Sequence, residues 1–291
     1  MNQPLEEINK TSRIDVTFAQ LALEKKPALI TYIMGGDPSA EISGELMKTL
    51  ATAGADIIEL GMPFSDPTAD GPTIQKAGIR ALRGGANLTK VLEQLYDFRQ
   101  TNQKTPVILM GYFNPILHYG IKEFCHDAEL AGADGLIIVD LPPEESGEIE
   151  SFAAQHNLHI IRLLAPTTPD ERLDFVLNHS SGFVYFISMT GTTGTKTVNP
   201  STVVPHLTRL RKHTNLPIAV GFGIKTPEQA EEVGKFADAV VVGSAIVELV
   251  GKSTDALNAH DKNSLKQKIL ADVFDFVVSI SKKLKTLTRL Q

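Results

Sequence analysis

PIAVGFGIKTPEQAEEVGKFADAVVVGSAIV, residues 217–247, reads as one repeating structural unit. An apolar run, PIAV, stops at Gly221-Phe222-Gly223. Thr226-Pro227 then puts a side-chain acceptor ahead of a proline at the first helical position, and helical spacing runs from Pro227 to Phe236. A second apolar run, ADAVVV, follows at once and stops at Gly243-Ser244. The unit is strand, helix, strand.

Runs of the same kind recur upstream. They are PALITYIMGG (27–36), ADIIELG (55–61), PVILMGY (106–112), ADGLIIVDLP (133–142), LHIIRLLAP (158–166) and GFVYFISM (182–189), which makes eight in all. They are nearly continuous in apolar character rather than alternating, as parallel strands covered on both faces must be. Between them, residues 42–53 and 88–100 have helical spacing, and Asp37-Pro38 looks like a second cap of the Thr226-Pro227 kind. Eight βα units in about 250 residues make a closed (β/α)8 TIM barrel. An open doubly wound sheet would call for G-x-G-x-x-G after an early strand, where this chain has Gly35-Gly36-Asp37-Pro38.

Residues 13–25 read as an extra amphipathic N-terminal helix that closes the bottom of the barrel. The tail reads as a polar loop from Gly251 to about Lys268, then a docking helix from Ile269 to Leu284 with Val273, Phe276, Val277 and Ile280 as its packing stripe. No linker or low-complexity tract interrupts the chain, so residues 1–291 are expected to form a single catalytic barrel domain.

Composition limits the function. A formal charge of −6 argues against nucleic acid or an anionic membrane as partner, since both need clustered Lys and Arg. A small anionic substrate remains open, because backbone amides hold phosphate on acidic proteins. The chain has one cysteine, Cys125, and its first twenty residues lack the apolar core of a secretory signal, so a cytoplasmic location is expected. The eight histidines show no metal spacing.

Barrel active sites sit where strands end at their C-terminal side. There Glu59 interrupts the second apolar run. It shares a side with Ile57, and if that side is the barrel interior, desolvation raises its pKa and suits it to give and take protons. The alternative is a glutamate in a salt bridge on the helix layer. Asp66 and Asp70 follow in a loop stiffened by Pro67 and Pro72. Each alone is ordinary turn chemistry, but two carboxylates converging on one cavity would divide acid and base roles. Gly221-Phe222-Gly223 and Gly243-Ser244 fall in the two loops where barrels hold phosphate, although tight turns would use the same residues. GTTGTKT, 191–197, lacks the glycine that a P-loop places before its lysine and better fits a lid. Tyr112 and Tyr185, in the third and sixth runs, are candidates to line the pocket.

ELGMPFSDPTADGPTIQKA (59–77) resembles the signature of the tryptophan synthase α chain family. GDP (36–38), GYFNP (111–115), DLPPEES (140–146), YFISMTGTTG (185–194), GFGI (221–224) and VGSAIV (242–247) extend the likeness in order along the chain. The resemblance implies a TIM barrel that cleaves indole-3-glycerol phosphate by a retro-aldol reaction to indole and glyceraldehyde 3-phosphate. It implies no cofactor on this chain. The partner it implies is a β chain carrying pyridoxal phosphate, in an αββα assembly that passes indole through a tunnel.

By motif match, Glu59 is the implied proton shuttle, Asp70 the acceptor for the indole N–H, and Tyr185 a neighbour of the glycerol chain. Gly194, Gly223, Gly243 and Ser244 match phosphate-binding positions, Phe222 an apolar residue near the indole, and Asp66 the surface that meets the β chain. Met34, where relatives carry threonine, and Thr195-Lys196 depart from the pattern, and the likeness fades after Val250. Another phosphate-sugar barrel would need a strand-borne catalytic lysine or a different acid–base pair. A subunit kept only to activate its partner would have no reason to retain both Glu59 and Asp70.

Overall fold

The computed structural model describes residues 12–187, 200–221, 223–256 and 262–289. Nine parallel strands form one sheet. They are β1 (Ala28–Met34), β2 (Ile57–Gly61), β3 (Val107–Gly111), β4 (Gly135–Ile138), β5 (His159–Ile160) and β6 (Arg162–Leu164), then β7 (Val184–Ile187), β8 (Ile218–Gly221) and β9 (Ala239–Val242). The helices of the first half are α1 (Arg13–Leu23), α2 (Ala40–Ala53), α3 (Pro72–Arg83), α4 (Leu88–Arg99), α5 (Phe113–Tyr119) and α6 (Ile121–Ala131). Those of the second half are α7 (Gly147–Gln155), α8 (Asp170–Asn178), α9 (Pro200–Leu210), α10 (Pro227–Gly234), α11 (Ser244–Ala256) and α12 (Lys262–Thr286).

The sheet runs β5-β4-β3-β2-β1-β9-β8-β7-β6. Its two ends, β5 and β6, belong to the one apolar run 158–166 and are separated only by Ile161. The Ile161 N–H donates to Leu136 O (3.0 Å) on one side, while Ser181 N donates to Ile160 O (2.8 Å) on the other. The fifth run therefore changes neighbours in mid-course and closes the barrel. One expected strand becomes two because its pairing partner switches.

The strands are buried on both faces, which explains their unbroken apolar character. Ile30, Ile57, Ile108, Ile137, Ile161 and Val241 fill the interior. Leu29, Ile58, Leu109, Val184, Val220 and Val240 point outward into the helix layer. The α1 helix is capped by Ser12, whose hydroxyl accepts from Asp15 N at 3.0 Å. It inserts Ile14 and Phe18 into the interior cluster, with the Phe18 ring 5.6 Å from that of Phe183. It plugs the end away from the strand C-termini, as its amphipathic spacing predicts.

Two local expectations are corrected. The cap of α2 is Ser39, whose hydroxyl accepts from Ile42 N at 3.3 Å. Asp37 is instead buried and held by Arg80 of α3, with Nε and Nη2 each 2.8 Å from a carboxylate oxygen. That carboxylate is turned to the Arg80 guanidinium, so the free end of α2 falls to the Ser39 hydroxyl. Thr226 does cap α10, accepting from Gln229 N at 3.3 Å. The tail is not a loop from Gly251 to Lys268 either: α11 continues to Ala256 and α12 begins at Lys262, leaving only 257–261 outside the described residues. Lys252, Asp255, Lys262, Asn263 and Ser264 lie on solvated outer faces at these helix ends, which composition alone does not distinguish from loop. Val273, Val277 and Ile280 are buried, with Phe276 packed beside them.

Candidate active site

Because side chains alternate along a strand, the parity that buries Ile57 also sends Glu59 into the barrel. Its register partners are Tyr32 on β1 and Ile108 on β3, and the residue is 1% exposed. Glu59 opens on a cavity at the C-terminal mouth, shared with Tyr32, Asp70, Tyr185, Gly223, Gly243 and Ser244. Among the described residues its Oε1 meets no hydrogen-bond partner. Burial pushes its pKa up from 4.5 to about 8, so at neutral pH the group is mostly a neutral acid within reach of losing its proton.

Asp70 approaches from the loop between β2 and α3. That loop is shaped by its own bonds: Asp70 N donates to Pro67 O (3.1 Å) and Thr68 N to Asp66 O (2.9 Å). Gln75 Nε2 donates to Asp70 O at 2.9 Å, and Pro72 occupies the first turn of α3. Partial burial raises the Asp70 pKa to about 6, while a hydrogen bond with Tyr112 pulls it the other way. Two carboxyls thus face one cavity, one mostly protonated and one mostly ionised at neutral pH, as a division between acid and anion requires.

The sequence candidates are distributed as follows. Tyr185, buried on β7, is in the cavity wall. Its hydroxyl sits above Gly221, where an added β-carbon would lie 2.2 Å from it. Gly223 lies just past β8, while Gly243 and Ser244 lead into the first turn of α11. Tyr112 stands behind the Asp70 loop rather than in the cavity wall. Its hydroxyl accepts from Ala69 N (2.9 Å), and its ring lies 5.4 Å from that of Phe64. Asp66 is exposed, and its carboxylate accepts from the Ser65 hydroxyl at 2.5 Å. Gly194, Phe222 and the expected lid at 191–197 lie outside the described residues. Met34, the last residue of β1, is buried outside the cavity wall, its sulfur 3.9 Å from the Tyr32 hydroxyl.

The cavity is also lined by Tyr32, Ile74, Met110, Lys225 and Glu248, none of them among the sequence candidates for the site. Parity would have found Tyr32, two residues on from the interior Ile30. Glu248 lies one helical turn beyond Ser244. Among the described residues, no three His, Cys, Asp or Glu side chains are gathered so as to hold a metal ion. No described helix is long and apolar enough to cross a membrane.

A closed parallel (β/α)8 barrel with two differently tuned carboxyls at its C-terminal mouth has the form of a TIM-barrel acid–base enzyme. The sequence profile of the tryptophan synthase alpha chain matches residues 18–275. A tryptophan synthase alpha chain from Acidiphilium cryptum (strain JF-5) is 53% identical over 262 residues, 90% of this chain and 95% of that one. The crystal structure of tryptophan synthase subunit alpha from Legionella pneumophila str. Paris superposes with a TM-score of 0.86 at 38% identity, covering 95% of this chain and all of that one. A Mycobacterium tuberculosis tryptophan synthase structure gives 0.82 at 32% identity over 95% of this chain and 99% of that one. This chain belongs to the tryptophan synthase alpha chain family.

Proposed function

We propose that the chain cleaves indole-3-glycerol phosphate to indole and glyceraldehyde 3-phosphate, with Glu59 as proton shuttle and Asp70 as its anionic counterpart. The supporting observation is the buried Glu59 carboxyl, with one oxygen unpartnered among the described residues and facing a cavity that also holds Asp70. Protonated Glu59 delivers its proton to C3 of the indole ring. Positive charge then develops on the ring and is shared with the N–H, which Asp70 accepts and stabilises. The resulting Glu59 carboxylate removes the proton of the glycerol hydroxyl next to the ring. The carbon–carbon bond breaks, its electrons return to the ring to restore indole, and the glycerol carbon becomes the aldehyde. Glu59 ends protonated, ready for another cycle. A pKa of about 8 keeps both steps within reach near neutrality.

Tyr185 borders the glycerol portion. The phosphate rests at Gly223, Gly243 and Ser244, where the first turn of α11 offers backbone N–H groups and the positive end of a helix dipole. Gly194 and Phe222 would complete the enclosure of phosphate and indole. In this reading the chain carries no cofactor of its own. It works in the cytoplasm with a β chain that bears pyridoxal phosphate, in an αββα assembly, and the exposed loop around Asp66 meets that partner. Nucleic acid and membrane play no part.

The test is to supply indole-3-glycerol phosphate to the purified chain, with and without a tryptophan synthase β chain, and assay glyceraldehyde 3-phosphate. Slow release alone and much faster release with the partner are expected. No aldehyde in either case rules out the lyase. Acceleration of the β chain without aldehyde formation would identify a purely activating subunit.

A further inference from the structure

Three carboxyls line the cavity, with Lys225 the one cation among its described lining residues. Glu59 is mostly neutral near pH 7 and Glu248 is paired with Lys252, which leaves Asp70 as the unpaired anion of the wall. Lys225 leaves β8 two residues after Gly223, on the side of the mouth that also holds Gly243 and Ser244. Its backbone N–H donates to Gln229 Oε1 at 2.7 Å, tying the residue to α10. Its side chain is exposed, and among the described residues no carboxylate lies within ion-pair distance of it. Glu248 projects from α11 one turn beyond Ser244 and is held by Lys252 at 2.8 Å, with the charge of Lys225 also lowering its pKa.

We propose that Lys225 is a specificity-determining residue of this site, the side-chain cation that meets the substrate's phosphate, and that Glu248 is the opposing charge that moderates it. The proposal rests on the lyase reading above and deepens it. A phosphate monoester enters with a charge of roughly −1.5 to −2 near neutral pH. The chain it approaches has a formal charge of −6, and Asp70 is ionised above about pH 6. Backbone N–H groups at Gly243 and Ser244 orient a phosphate but supply only partial charge. Lys225 brings a full positive charge to the same side of the mouth, in no ion pair with a described carboxylate and opposed through space by Glu248. The arrangement selects phosphorylated over neutral indolyl glycerols, and it acts chiefly on capture and binding.

The experiment is steady-state cleavage by the full chain with a β chain present, at low ionic strength. Lys225→Ala should raise KM about five- to twentyfold with kcat within about twofold, the size of one charge-assisted phosphate contact near the surface. Lys225→Arg should recover most of the loss, and Glu248→Gln should lower KM about two- to threefold, an opposite sign that general loosening of the mouth would not produce. With the dephosphorylated indolyl glycerol, Lys225→Ala and wild type should be alike. In about 0.5 M KCl the gap for the phosphorylated substrate should narrow. Titration with glycerol 3-phosphate reads the same contact without turnover, so it decides the role of Lys225 even if cleavage fails: weaker binding to Lys225→Ala supports it. Unchanged KM and unchanged glycerol 3-phosphate binding, or equal losses with and without the phosphate, would overturn it.

Discussion

The hydroxyl of Tyr32 occupies the space in which a side chain on Gly61 would begin: a β-carbon there would lie 2.2 Å from that oxygen and 2.8 Å from the ring carbon bearing it. Tyr32 fits between the two strands that flank β1, since a β-carbon on Gly243, just past β9, would lie 3.2 Å from Tyr32 Cβ. Gly61→Ala should therefore drive the ring into the cavity beside Glu59. A stability loss of about 1–3 kcal/mol in urea unfolding is expected, the usual cost of overpacking, with a KM increase for the substrate. Tyr32→Phe in the same background removes the atom in closest conflict and should recover part of both. A double variant no better than Gly61→Ala would contradict the steric account.

Glu59 ties catalysis to a stability cost with a definite pH dependence. Its folded pKa of about 8 lies above its ordinary 4.5, so between those values the folded state holds a proton that the unfolded state releases. Stability contributed by the neutral acid is full below about pH 4.5, falls as pH rises, and is lost above about pH 8. Glu59→Gln removes the titration. Its stability relative to wild type should rise across this window and level off above it, by at most about 5 kcal/mol. Denaturant unfolding at several pH values reads this, while the same variant should show no turnover. A stability difference independent of pH would mean that Glu59 is not the buried neutral acid described here.

Tyr112 reaches the site through Asp70. Its hydroxyl accepts from Ala69 N and hydrogen-bonds Asp70, holding the Asp70 pKa below what burial alone would give. Tyr112→Phe should move the acid limb of kcat/KM against pH upward from about 6, because Asp70 would then need a higher pH to ionise. A drop in activity with an unmoved acid limb would leave Tyr112 as packing alone.

The barrel was legible because both faces of its strands are covered, which turns each strand into an unbroken apolar run. The handover at Ile161 was not, since which neighbour a strand pairs with leaves no mark in its composition. Glu59 was legible as a charge inside such a run, and its burial agrees with that reading. Tyr32 was missed because a tyrosine in a strand is unremarkable until parity places it opposite Glu59. Asp37 resembled a helix cap because Asp-Pro often is one. Its partner Arg80 lies 43 residues away, a distance over which no local pattern operates. Lys225 and Glu248 look like ordinary surface charges, and only the fold brings them to one cavity.

Asp134 supports the other end of the barrel. One carboxylate oxygen accepts from Arg13 of α1 at 2.7 Å, while the other accepts from Arg99 of α4 at 2.8 Å and from Val107 N of β3 at 2.7 Å. Arg99 is 4% exposed, so removing the carboxylate would strand a buried guanidinium and an N–H at the start of β3. Arg99 keeps its bonds to Gly132 O and Thr105 O, which do not neutralise its charge. Asp134→Ala should cost about 3–5 kcal/mol, the range for breaking one side of a buried ion pair. Arg13 is the more exposed cation, so Arg13→Ala should cost about 1 kcal/mol or less. Both variants lie at the end opposite the cavity, so folded protein should retain a near-normal KM. Equal destabilisation by the two substitutions would show that burial at Arg99 does not govern the pair.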